Sequence, residues 1–144
     1  MFLLDTNVVS ELRKAKSGRA DPNVVSWAAA IFPDLMYISA ITLLELERRV
    51  LAVERRDASQ GVVLRHWLDR QVVPAFQGRV LGVDADVALA CARLHVPDPR
   101  GECDALIAAT ALVQGLTLVT RNVADFAATK VPVLNPWSSG PPAR

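Results

Sequence analysis

The chain has 144 residues, 51% of them hydrophobic and 22% charged. This is about one domain's worth of globular sequence, and it excludes a large multi-domain enzyme and a disordered chain. Sixteen basic against fifteen acidic side chains leave a formal charge of +1, so the chain is neither a uniformly basic nucleic-acid coat nor an acidic tail, although local patches stay possible.

Phe2-Leu3-Leu4 is a short apolar run that stops at Asp5-Thr6-Asn7, the pattern of a buried strand ending in a polar turn. A short helix is expected from Val8 to Arg13, followed by the basic stretch Arg13-Lys14-Ala15-Lys16-Ser17-Gly18-Arg19. Asp21-Pro22 has the form of a helix start, N-cap then proline, and that helix would run to about Phe32. Leu35–Ile38 reads as a second strand. Ser39 to about Arg56 reads as an amphipathic helix with Leu43, Leu46, Val50 and Val53 inward and Glu47, Arg48, Arg55 and Arg56 mostly solvated.

A further helix is expected over Ser59–Val72, with Leu64, Trp67 and Leu68 inward, and a third strand over Arg79–Val83. Asp84 can cap a helix carrying Val87, Cys91 and Leu94. Pro97-Asp98-Pro99-Arg100-Gly101 is a loop, because two prolines and a glycine prevent regular structure. Asp104–Gln114 reads as a helix apolar almost all round, with Gly115 placed to end it. Leu116–Thr120 is a fourth strand, Val123–Phe126 a turn or short helix, and Val131–Leu134 a fifth strand. Residues 138–144 have the composition of a disordered tail.

Strands alternating with helices imply crossover connections and a mostly parallel, about five-stranded sheet in a three-layer α/β domain. Ligands of such sheets bind beyond the carboxyl ends of the strands. Four acids fall in such places: Asp5 after the first strand, Glu45 in the helix after the second, Asp104 opening the apolar helix, and Asp125 after the fourth strand beside Thr120-Arg121-Asn122. No phosphate-binding glycine loop or nucleophile elbow accompanies them. Cys91 and Cys103 suit buried or spare thiols in a reducing compartment, and His66 and His95 have no second His or Cys at zinc spacing. With no signal-peptide pattern and no apolar run of membrane-spanning length, the expectation is a soluble, cytoplasmic protein without membrane contact.

Clustered carboxylates repel one another, and a hard divalent cation removes that penalty. An all-carboxylate site therefore points to phosphodiester or phosphoryl chemistry assisted by Mg²⁺ or Mn²⁺. Each acid alone also has a plainer reading. Asp5 can cap a helix, Thr42 to Glu45 can form a capping box, Asp104 can sit at a positive helix end, and Asp125 can belong to a turn.

Taken together, Met1–Asn7, Ser39–Glu45, Asp104–Ala111, Val119–Asn122 with Asp125-Phe126, and Asn135-Pro136-Trp137 resemble the PIN-domain toxins. These are the VapC-type ribonucleases, and the resemblance is greatest to their FitB-like branch. It spans residues 1–137 and implies a PIN domain over that length. It further implies an RNA-cleaving toxin of a toxin–antitoxin pair that uses Mg²⁺ or Mn²⁺.

By that resemblance Asp5, Glu45 and Asp104 match the metal-binding acids. Thr6, Asn7, Thr120 and Asn122 match polar supporting positions. Asn122 stands where many members carry a further acid, so Asp125 is the alternative fourth member. Arg48-Arg49 occupy a region where members often have glycine. The resemblance also implies an RNA substrate, a VapB- or FitA-like antitoxin lying across the active-site groove, and a homodimer.

Candidate RNA contacts are Arg13, Lys14, Lys16, Arg19 and Arg121, since phosphate contacts dominate nucleic-acid affinity. With eight aromatic residues, several of them expected in the core, a base-stacking platform is disfavoured. Trp27, Phe32 and Trp67 are core residues by default and interface residues in the alternative. Two other classes stay open. One is a PIN-like module that binds RNA or protein with weakened catalysis, which Asn122 suggests. The other is a receiver-like signalling domain, disfavoured because Asp5 lacks the paired acid such domains carry at the first strand end.

Overall fold

The computed structural model describes residues 1–138; the expected disordered tail falls almost wholly outside them. Five strands form one parallel sheet: β1 (Phe2–Leu4), β2 (Met36–Ser39), β3 (Val80–Leu81), β4 (Thr117–Val119) and β5 (Val133–Leu134). Their order is β3-β2-β1-β4-β5. The chain winds outward from β1 in one direction through β2 and β3, then returns to β1's other side for β4 and β5. The strand order therefore reverses between β1 and β4, and the carboxyl ends of these two strands frame the crevice where such sheets bind ligands.

Successive β1 side chains point to opposite faces, as a strand's period of two requires. Leu4 joins Val8, Val24, Ile38, Leu46, Val50, Leu68 and Val72 on one side. Leu3 joins Ile107, Ala108, Ala111, Leu118 and Phe126 on the other. The first layer carries α1 (Thr6–Leu12), α2 (Pro22–Ala29), α3 (Ala40–Arg56), α4 (Ala58–Trp67) and α5 (Val73–Ala75); the second carries α6 (Ala85–Leu94) and α7 (Glu102–Gln114). The α7 face is mostly alanine, with Ala105, Ala108, Ala109 and Ala111 all buried, so this helix can approach both the sheet and α6 closely. The expected three-layer α/β arrangement is thus the observed one.

Local chemistry explains the helix ends. The Asp21, Ser39 and Asp84 side chains accept from Asn23, Ile41 and Val87 backbone N–H groups at 2.8, 3.0 and 2.9 Å. Each such cap contributes about 1 kcal/mol. Asp57 ends α3 and caps α4 by accepting from Gln60 N–H at 3.2 Å. The tight α3–α4 hairpin depends on Gly61, where a Cβ would stand 2.6 Å from Glu54 Cα.

Two boundaries differ from expectation. The helix expected from Val8 starts at Thr6, because Asp5 caps it directly. The helix expected to run unbroken to Val72 widens into a π-turn over Leu68–Val72, where the Val73 N–H reaches the Leu68 carbonyl. Pro74 follows with no N–H to give to Arg70, and the wider turn accommodates that missing bond. No helix among the described residues is long and apolar enough to cross a membrane.

Candidate active site at the carboxyl ends of β1 and β4

Asp5 directly follows β1 and is only 4% exposed. Its Oδ1 accepts from the Thr6 N–H at 2.8 Å, which is the helix cap foreseen as a plainer role. Its Oδ2 is nonetheless held by a residue from another strand: the fully buried Thr120 hydroxyl donates to it at 2.7 Å across the β1–β4 junction. Asn7 Nδ2 lies 3.4 Å from the same oxygen and 3.3 Å from Thr120 Oγ1. Asn7 Oδ1 accepts from the Arg121 N–H and Thr120 Oγ1 from the Asn122 N–H, at 3.3 and 3.1 Å. The polar residues after β1 and after β4 thus form one network around a single carboxylate.

Glu45 reaches this network from α3. With Ser39 as the cap of α3, Thr42 and Glu45 are one turn apart on one helix face, so no capping box forms between them. Glu45 Oε1 instead accepts from the Thr6 hydroxyl at 2.6 Å, and the buried Thr42 hydroxyl lies 3.2 Å from that of Thr6. Thr42, a capping-box candidate by sequence, instead supports the Thr6 hydroxyl that holds Glu45.

Asp104 stands in the first turn of α7, half-buried. Burial, then the negative charges of Glu45 and Asp125, raise its pKa above the ordinary carboxylate value. Asp5 is also raised, chiefly by burial and further by Asp104 and Glu45, against the opposing hydrogen bonds from Thr120 and Thr6. Asp104 therefore feels both Glu45 and Asp125, and Asp5 feels both Asp104 and Glu45.

Asn122 and Asp125 are separated by the structure. Both are exposed, but Asp125's charge is felt at Asp104, whereas Asn122 engages the network through its backbone N–H. The Arg100 guanidinium donates to the Asp125 carbonyl at 2.9 Å and to the Leu94 carbonyl at 2.8 Å, tying the turn after β4 to the loop before α7.

The candidate RNA-binding cations meet different fates. Arg121 stacks over Trp137, with Cζ 5.3 Å from the ring centroid, and Arg13 lies over Trp67 at 5.9 Å. Lys14 forms an ion pair with Glu11 at 2.9 Å, which spends part of its charge within α1's own end. Lys16 and Arg19 are exposed. A cation missed by sequence is Arg48, whose charge is felt at the Cys103 thiol together with those of Glu45 and Asp104. Arg49, its neighbour, donates to Ser10 at 2.8 Å and fastens α3 to α1. The aromatic expectation holds for Trp27 and Trp67, both packed on the core, while Phe32 is 78% exposed.

Comparison with known proteins agrees with this geometry. The PIN-domain profile matches residues 2–131. The chain is 36% identical over 142 residues to "VapC ribonuclease Y4jK" of Sinorhizobium fredii, covering 95% of this chain and 98% of the relative. It is 37% identical over 143 residues to "Toxin FitB" of Neisseria gonorrhoeae, covering 95% and 99%. Among solved structures, FitAcB from Neisseria gonorrhoeae superposes with a TM-score of 0.85 at 34% identity, covering 95% of this chain and 99% of that one. FitAB bound to a DNA fragment superposes with a TM-score of 0.87 at 32% identity, covering 97% and 98%. On these likenesses the chain belongs to the PIN-domain family of VapC- and FitB-type ribonuclease toxins.

Proposed function

We propose that this ribonuclease toxin cleaves RNA with a Mg²⁺ or Mn²⁺ ion held by Asp5, Glu45 and Asp104, with Asp125 as the fourth acid. The observation that carries the reading is the convergence of these carboxylates at the sheet's switch point, where burial and like charge raise Asp5 and Asp104 together. All the donors are hard oxygens, which suit these two cations. When bound, such an ion neutralises the phosphate and lowers the pKa of a coordinated water.

The chain's own residues set the geometry. Thr120 and the Thr6 N–H fix both oxygens of Asp5, and each oxygen keeps a further lone pair for a cation. Thr6 holds Glu45 at one oxygen only, so the second is free to bind or to orient water. In this reading the exposed Asp125, whose charge is felt at Asp104, accepts a proton from the attacking water. Attack on phosphorus with departure of the 3′ oxygen yields a 3′-hydroxyl and a 5′-phosphate. Arg121, Arg13 and Arg48 are the proposed phosphate contacts, and Lys14 contributes less because Glu11 pairs with it.

The partner proposed is an antitoxin whose basic side chain enters the acid cluster and whose apolar residues fill the groove lined by Leu12, Trp67, Val72 and Phe76. The solved relatives named FitAB and FitAcB, and a toxin–antitoxin complex from Klebsiella pneumoniae at 27% identity, support such a pairing. A homodimer completes the proposed assembly.

The test is cleavage of a defined RNA by the purified chain with Mg²⁺, with EDTA, and by Asp104→Asn. Cleavage that stops in EDTA and in the variant, with 5′-phosphates on the fragments, is expected. Cleavage unaffected by either sinks the metal assignment. No cleavage and no Mn²⁺ binding in the millimolar range would instead favour a PIN-like binding module.

A further inference from the structure

We propose that Cys91, His95 and Glu102 form a second metal site, for one Zn²⁺, chemically separate from the carboxylate cluster. His95 has no His or Cys at the short spacings of zinc knuckles, and its neighbours come instead from the helix turn before it and from beyond the loop. Cys91 and His95 are four residues apart across the end of α6, so they share one helix face. Glu102, the first residue of α7, completes the set from the other side of the loop.

The ligand atoms are already close to the spacing that a tetrahedral ion imposes. Cys91 Sγ lies 3.9 Å from His95 Nε2 and 3.7 Å from Glu102 Oε1, and His95 Nε2 lies 3.5 Å from Glu102 Oε2. Tetrahedral Zn²⁺, with bonds of about 2.3 Å to sulfur and about 2.0–2.1 Å to nitrogen or oxygen, separates its ligands by roughly 3.4–3.6 Å. A contraction of a few tenths of an ångström is enough. Thiolate, imidazole and carboxylate together select a borderline-soft ion, whereas the all-oxygen cluster selects a hard one. Cys91 is buried and Glu102 exposed, so water reaches the open side as a fourth ligand.

Binding has a defined proton balance. In the metal-free arrangement the Cys91 thiol donates to Glu102, and that proton leaves for solvent when sulfur coordinates. His95 Nδ1 accepts from the Arg100 N–H at 3.0 Å, so the ring proton sits on Nε2. Coordination through Nε2 moves that proton to Nδ1, and the Arg100 amide then gives up its acceptor. This loop rearrangement is the cost of the site. It also links the ion to the segment that Arg100 ties to the Asp125 carbonyl.

The inference does not depend on the ribonuclease reading, and its test uses no RNA. Co²⁺ is titrated into the full chain in excess Mg²⁺, and the near-ultraviolet thiolate-to-cobalt band is followed, then displaced with Zn²⁺. One equivalent should saturate the band in the wild type and in Cys103→Ser, and Cys91→Ser should lack it. Glu102→Gln, at an exposed position that cannot disturb the core, should weaken Zn²⁺ binding at least ~10-fold. Absence of the band in the wild type, its persistence in Cys91→Ser, or unchanged affinity in Glu102→Gln would each overturn the proposal.

Discussion

Among the acids of helix α3, Glu45 and Glu47 stand two residues apart, so their side chains point to different faces. Glu45 meets the Thr6 hydroxyl and faces other acids. Glu47 takes both ends of the Arg65 guanidinium at 2.7 Å each, and Glu54 and Asp69 approach the same cation. Arg65 holds the Glu47 carboxyl below its ordinary value, while on the other face Asp104 is raised. One cluster is neutralised within the fold and serves the α3–α4 hairpin. The acids of the other form no ion pair among the described residues, and a cation from outside can take that place.

The strongest way to break this contrast is to neutralise one acid in each cluster. Asp104→Asn should lower metal-dependent RNA cleavage more than ~100-fold, since even residues supporting a metal ligand cost up to about that much. Its metal-free form should melt no lower than the wild type, because a repelling charge has gone. Glu47→Gln should leave cleavage unchanged. Cleavage assays and thermal melts in EDTA measure both outcomes, and equal loss of activity in the two variants would erase the distinction.

The second test adds the missing counterion. At about a hundredfold excess over its dissociation constant, Mg²⁺ should stabilise the wild type by about 2.7 kcal/mol, several degrees of melting temperature. Asp104→Asn should show little of this. The pH dependence follows from the same charges. Asp5 and Asp104 hold their protons above the ordinary value of 3.8 when folded. Below 3.8 the folded and unfolded chains are equally protonated at these groups and the repulsion is silent. As pH rises through that value toward the folded pKa, the unfolded chain binds fewer protons and metal-free stability falls. Glu47 acts oppositely: its contribution is present above 4.5 and lost as pH falls through its lowered pKa. Denaturant unfolding in EDTA from about pH 4 to about pH 7 should therefore cost the wild type more than Asp104→Asn.

Much of this arrangement was legible in the sequence, and the reason is local. Asp5 is adjacent to its strand, Ser39 and Asp84 cap the helices that follow them, and Asp104 interrupts an otherwise apolar helix. What was not legible depends on pairings across the fold. Glu47 read as a solvated surface residue, and its partner Arg65 comes to it only where the Gly61 approach brings α4 onto α3. Arg48 read likewise, and only the packing of α3 near α7 sets it beside Cys103. His95 looked isolated because its partners lie on both sides of a loop. The choice between Asn122 and Asp125 also needed the turn after β4, which presents one backbone N–H to Thr120 and the other residue's charge to Asp104.

A finer test acts on support rather than charge. Thr120→Val keeps the shape of a fully buried side chain but removes the hydroxyl that donates to Asp5 at 2.7 Å. Asp5 should then hold its proton more tightly still, and Mg²⁺ affinity, followed by Mn²⁺ titration, should fall about 10-fold. Unchanged affinity would mean that Thr120 serves packing alone.

The smallest effect belongs to the neutralised cluster. Arg65→Met removes the cation shared by Glu47, Glu54 and Asp69 but keeps an apolar stem against α3. The side chains are substantially exposed, so solvent screens the pairs and only a slight drop in melting temperature is expected, shrinking further in high salt. Mn²⁺ affinity should not change, because Glu45 faces away from Arg65 and is held by Thr6. A change in metal affinity here would show that the two faces of α3 are electrostatically coupled, and the internal counterion of one cluster would then also be tuning the other.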